Sequence, residues 1–132
     1  MAWAIIVLVL STLSGAEVSR FPLVNIPNMD KVVHFSMYFV FTFLMMYDFA
    51  RFKEKTFSWK QIIVFSLLAA IVYGGMMELL QSIPKIHRSC DIKDFMANSV
   101  GAIVAVLLYK PLDGLINRAM ALIIKPKNPY SL

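Results

Sequence analysis

The sequence predicts an all-α membrane protein: a bundle of four transmembrane helices plus a C-terminal amphipathic interfacial helix. Composition is the first observation. Hydrophobic residues make up 59% of the 132-residue chain and charged residues 16%, against an apolar share of roughly 45–50% in soluble domains. Mean hydropathy is +0.69, too apolar for a soluble domain of this size to cover its surface. The second observation is arrangement. Apolar runs of membrane-crossing length alternate with short polar loops, as one polytopic domain spanning the whole chain requires. The third is charge. A net charge of +5 would suggest a nucleic-acid partner in a soluble protein, but the basic residues lie between apolar runs, where they set topology instead.

The first helix is expected over residues 2–16. Its apolar stretch, MAWAIIVLVLSTL, lacks a basic region in front, which favours a retained helix. A cleavable signal peptide ending near Ser14-Gly15-Ala16 is the alternative. Residues 17–29 hold two prolines and two asparagines and read as a loop. Asn28 stands where it would cap the next helix.

The second helix is expected over 30–50. Asp30, His34 and Tyr38 recur every four residues and share one face. Arg51, Lys53, Lys55 and Lys60 surround the loop that follows. The third helix is expected over 59–81, with Gly74 and Gly75 permitting close approach of a neighbour and Pro84 beyond its end. The fourth is expected over 91–109, where Ala97, Gly101 and Ala105 form a small-residue stripe. Pro111 should end or kink it. Residues 112–124 then segregate Leu112, Leu115, Ile116 and Ile123 from Asp113, Asn117 and Arg118, as a helix lying on the membrane would.

Orientation follows from the basic residues. Arg51, Lys53, Lys55, Lys60, Lys110, Arg118, Lys125 and Lys127 fall on one side, with Asp48, Glu54 and Asp113. On the other side, Arg20, Lys31, Lys85, Arg88 and Lys93 are balanced by Glu17, Asp30, Glu78, Asp91 and Asp94. The whole formal charge of +5 therefore sits on one face, which the positive-inside rule assigns to the cytoplasm together with both termini.

The polar groups of the other face converge. Asp30, Lys31, His34 and Tyr38 begin the second helix; Glu78 and Gln81 end the third; Arg88 lies in the turn; Asp91, Asp94 and Asn98 begin the fourth. Capping and helix-dipole effects account for Asp91 and Asp30. They do not account for His34, Tyr38, Glu78 and Asn98, which lie too deep. A buried hydrogen-bond network that locks the bundle is one explanation, and an outward-opening pocket between the three helices is the other. His87 and Cys90 lack the ligand spacing of a zinc site. A divalent cation held by Asp30, Glu78, Asp91 and Asp94 fits the chemistry of a hard-cation site better.

The segments DKVVHFSMY, ELLQ and RSCDIKDFMANSVGA, in this order and spacing over residues 30–105, resemble the VanZ-like family of small bacterial membrane proteins. The family pattern maps onto Asp30, Lys31, His34, Tyr38, Glu78, Gln81, Arg88, Asp91, Asp94, Asn98 and Gly101. The chain departs from it at His87, where a glycine is expected, and at Cys90, where a small residue is usual. The resemblance implies a bacterial cytoplasmic-membrane protein and an association with resistance to teicoplanin, a lipoglycopeptide.

Three functions compete. A binding module would hold a lipid or lipid-linked cell-wall headgroup with Asp30, Lys31, Tyr38, Gln81, Arg88, Asp91 and Asn98, Arg88 and Lys31 meeting phosphate. A membrane enzyme would use His34 as base, oriented by Asp94, with Glu78 as acid. No Ser or Cys nucleophile motif is present, so activated water or a cation would be required. A scaffold would use the same residues only to hold helices together. A neutralised network points to a scaffold; carboxylates in excess around an open cavity point to binding or chemistry.

Overall fold

The computed structural model describes residues 2–12, 28–52, 57–82 and 91–123. These form four helices: α1 Ala2–Thr12, α2 Met29–Phe52, α3 Trp59–Gln81 and α4 Ile92–Ile123. The last three are long and apolar enough to cross a membrane. At 1.5 Å per residue, α2 and α3 each measure about 35 Å, enough for a hydrocarbon core of ~30 Å. The expected first helix over 2–16 is described only as far as Thr12.

Each long helix buries one narrow seam and leaves the rest of its surface apolar. On α3 the seam is Ile62, Ser66, Ala70, Gly74, Met77, Glu78 and Gln81, a spacing close to four that keeps one face inward. Val64, Phe65, Leu68, Val72, Met76 and Leu79 are each more than half exposed on its outside. The most buried side chains include Thr42, Ser66, Gln81 and Asn98. Polar groups inside and large apolar groups outside suit hydrocarbon as solvent, because lipid offers polar groups no partner.

The seams fix how the helices run. Lys31 reaches Asp94, His34 reaches Asn98, and Arg51 reaches Asp113. α2 and α4 are therefore parallel, and α3 runs antiparallel to both. Ser58 and Gln61 start α3 with a reciprocal capping box. Glycine sets the spacing of α2 and α4: a Cβ on Gly101 would run into the Phe35 carbonyl oxygen. A Cβ on Gly74 would press on the Tyr38 ring at 3.3 Å. Of the small-residue stripe, Gly101 and Ala105 are buried with Ala102, and Ala97 is half-buried. α1 joins through Val7, which packs with Met37, Tyr38, Ala70 and Ala102. The Trp3 indole donates to the Met37 carbonyl at 3.0 Å, and the Tyr73 hydroxyl to the Ala4 carbonyl at 2.7 Å.

One expectation is corrected. Residues 112–123 do not form a separate helix after Pro111; α4 continues through it. Proline removes one backbone hydrogen bond and crowds the preceding turn, a cost of about 3 kcal/mol in a helix interior. Side-chain contacts support the continuation. Arg51 on α2 donates to Asp113 at 3.1 Å and to Asn117, and Asn117 donates to Asp113 at 3.1 Å. Of the polar stripe expected to face water, Asp113 and Asn117 thus meet the end of α2, and Arg118 is exposed. At 32 residues, α4 is about 48 Å long and outreaches the hydrocarbon core at this end.

Candidate functional site

The two polar clusters of the sequence meet at one end of the bundle. Asp30, Lys31, His34 and Tyr38 come from the first turns of α2. Glu78 and Gln81 come from the last turn of α3. Asp91 precedes α4, and Asp94 and Asn98 lie in its first two turns. Arg88, His87 and Cys90 lie outside the described residues, as does any role of theirs in the turn.

The outer layer is an ion cluster. Lys31 Nζ lies 2.6 Å from Asp30, 3.1 Å from Asp94 and 3.6 Å from Asp91. One ammonium thus bridges three carboxylates of α2 and the start of α4. Lys31, expected to assist in meeting a phosphate, is engaged here by these three carboxylates. The same ammonium sits where a hard cation among these carboxylates would sit. Among the described residues, no group of three His, Cys, Asp or Glu side chains is arranged to hold a metal ion.

One turn deeper lies a relay across three helices. Asn98 Nδ2 donates to Glu78 Oε1 at 3.4 Å. The Asn98 carbonyl oxygen is then left to accept, which makes Nδ1 of His34, 3.1 Å away, the donor of that pair. The other imidazole nitrogen, Nε2, lies 3.6 Å from Asp94 Oδ2. His34 and Glu78 are 4.0 Å apart, so Asn98 mediates between them. The sequence places Asn98 among headgroup-binding residues and does not reveal it as the link between acid and imidazole. In the structure Asn98 is the hub that ties α2 to α3 through α4.

The relay is buried: His34 is 5% exposed, and Glu78, Gln81 and Asn98 are 2% exposed. Among the described residues this end of the bundle is packed, not open. A cavity of about 640 Å³ lies instead at the opposite end, between Arg51, Trp59 and Tyr109. The polar end is nevertheless incompletely satisfied. Glu78 faces the Asp91 backbone amide, yet its Oε2 completes no hydrogen bond of good geometry. Tyr38 Oη and Gln81 Nε2 are buried with no partner among the described residues. A buried polar group left unpaired costs roughly 1–3 kcal/mol. Sequence reasoning did not single out Thr42 and Ser66, two further buried hydroxyls with no partner among the described residues. Their four-residue step from Tyr38 and Ala70 was the signal that placed them on the seams.

Chemically, the site can accept hydrogen bonds and positive charge. Four carboxylates stand near Lys31 and His34 among the described residues. Acid–base chemistry at His34 would require the imidazole to leave Asn98 or Asp94, since both ring nitrogens face a partner.

The comparisons with known proteins gave one result. A family model described as VanZ/LLP1 matches residues 2–117, which extends the likeness from the three motifs to α1 and most of α4. No curated protein and no solved structure gave a significant match.

Proposed function

The chain belongs to the VanZ/LLP1 family, and from that premise we propose that it binds the polar headgroup of a membrane lipid or lipid-linked cell-envelope intermediate. The headgroup docks at the end of the bundle marked by His34, Asn98 and Glu78. One observation carries the reading. Tyr38 Oη, Glu78 Oε2 and Gln81 Nε2 are buried at this end with no hydrogen-bond partner among the described residues, beside four described carboxylates, Asp30, Glu78, Asp91 and Asp94. Tyr38 Oη and Glu78 Oε2 can accept from hydroxyl or ammonium groups of a headgroup, Gln81 Nε2 can donate, and a phosphate falls to Arg88. Glycopeptide resistance of the teicoplanin type is the cellular form of this reading if the headgroup belongs to a cell-wall intermediate.

A scaffold role is the second reading, favoured by the near-complete burial of the His34–Asn98–Glu78 relay. The near-isosteric Glu78→Gln separates the two. Under the binding reading, purified Glu78→Gln keeps its thermal stability in detergent and loses retention of outer-leaflet lipids and cell-wall intermediates. His34→Ala loses binding too, with some stability. Under the scaffold reading, any loss follows the fall in stability alone. Wild-type lipid retention by Glu78→Gln would remove the central residue of the proposal.

The orientation in this reading is that of the bacterial cytoplasmic membrane, with the polar end outside and both termini inside. A reporter fused after Lys55 is then expected to behave as cytoplasmic, and one inserted near Lys85 as external. The reverse labelling would move the headgroup site to the inner leaflet.

A further inference from the structure

We propose that the cavity at the other end of the bundle binds the phosphate of a net-anionic headgroup. This site is separate from the His34 end and does not rest on the reading given for it. The cavity measures about 640 Å³, within the roughly 300–1,000 Å³ of ligand pockets. Its walls are the end of α2, the start of α3 and α4 around Pro111.

Two cations line it, and they are held differently. The Arg51 guanidinium stacks on Tyr47, its Cζ 4.4 Å from the ring centroid. Asp113 and Asn117 grip Nη2. Both paired donor edges of a guanidinium include Nη2, so among the described residues Nη1 and Nε keep separate, single N–H donors. Each can donate one charge-assisted hydrogen bond to a phosphate oxygen. Lys110 Nζ lies 5.5 Å from the Trp59 ring centroid and has no carboxylate partner among the described residues. Asp113, the acid in the lining, is spent on Arg51. The cavity therefore carries a surplus positive charge. Trp59 and Tyr109, with ring centroids 5.3 Å apart, give it an aromatic wall, the residue types that sit at headgroup depth. A basic cleft between helices at a membrane surface, walled by aromatics, fits the phosphodiester of an anionic lipid. Free phosphate offers the same oxygens, and the experiment separates the two sources.

Purified protein in detergent is titrated with short-chain phosphatidylglycerol, short-chain phosphatidylcholine and inorganic phosphate. Bound lipid is counted by native mass spectrometry, and Tm is followed in parallel. The expected result is a preference for phosphatidylglycerol over phosphatidylcholine that falls about fivefold in Lys110→Met, the share of one cation at a membrane surface. Arg51→Gln should lower it further. Because Arg51 also holds α4, Lys110→Met is the deciding variant if Arg51→Gln does not fold. Phosphate alone raising Tm in the parent but not in Lys110→Met supports the site with free phosphate as ligand. Equal binding of the two lipids with no response to phosphate overturns the proposal. So does a phosphatidylglycerol preference that Lys110→Met leaves unchanged.

Discussion

Gly101→Ala is expected to unfold the polar end of the bundle. A Cβ at this position meets the carbonyl oxygen, carbonyl carbon and Cα of Phe35. These are backbone atoms, so no side-chain rotation relieves the contact and α2 must move away from α4. Overpacking of this kind costs about 1–3 kcal/mol. The movement also lengthens the 3.1 Å contacts of Lys31 with Asp94 and of His34 with Asn98. Thermal unfolding in detergent should show a lower Tm, and headgroup binding should fall with it. Gly114→Ala, where an added Cβ meets nothing within 4 Å, is the control and should leave Tm near that of the parent. Equal behaviour of the two variants would show that α2 and α4 do not depend on the close approach.

Lys31→Met is expected to have the second large effect. It leaves Asp30, Asp91 and Asp94 without the ammonium that bridges them. The side chains of Lys31 and Asp94 are 26% and 11% exposed, so water screens the remaining repulsion only in part. Removing one member of such a cluster costs more than the intact cluster contributes, because it leaves charge unpaired. A loss of about 1–3 kcal/mol follows from an unsatisfied group of this kind. Lys31→Met with Asp94→Asn should recover part of the loss, since the second change removes a charge that the first left uncompensated. A double-mutant cycle on Tm or denaturant midpoint measures this coupling. Strictly additive effects would mean that the 3.1 Å contact carries no energy.

Much of the architecture was legible in the residues. Runs such as VVHFSMYFVFTFLMMY announce a spanning helix by length and apolarity, and the four-residue recurrence of Asp30, His34 and Tyr38 announces the inward face. The convergence of Glu78, Asp94 and Asn98 with His34 followed from alternating helix direction alone. What could not be read was partner choice across long separations. Nothing near Lys31 reveals that it pairs with Asp94, 63 residues on. Pro111 misled for a related reason. Its local penalty is visible in sequence, whereas the support from Arg51 to Asp113 and Asn117 depends on two helices lying side by side. The burial of the His34–Asn98–Glu78 relay has the same origin. Asn98 fills the space between His34 and Glu78, and only the register of three helices reveals it.

The parallel pairing of α2 with α4 has a consequence for biogenesis. α2 leaves the ribosome some 60 residues before its partners on α4, and a third helix must be threaded in the opposite direction in between. During that interval Lys31 and His34 have no α4 to meet, and Glu78 arrives before the Asn98 that later bridges it. The nascent protein therefore passes through a stage in which its most polar side chains face lipid, translocon or chaperone. The last long helix releases it from that stage. Any insertion factor that shelters half-made membrane proteins would find its client signal here, in the same residues that the finished bundle conceals.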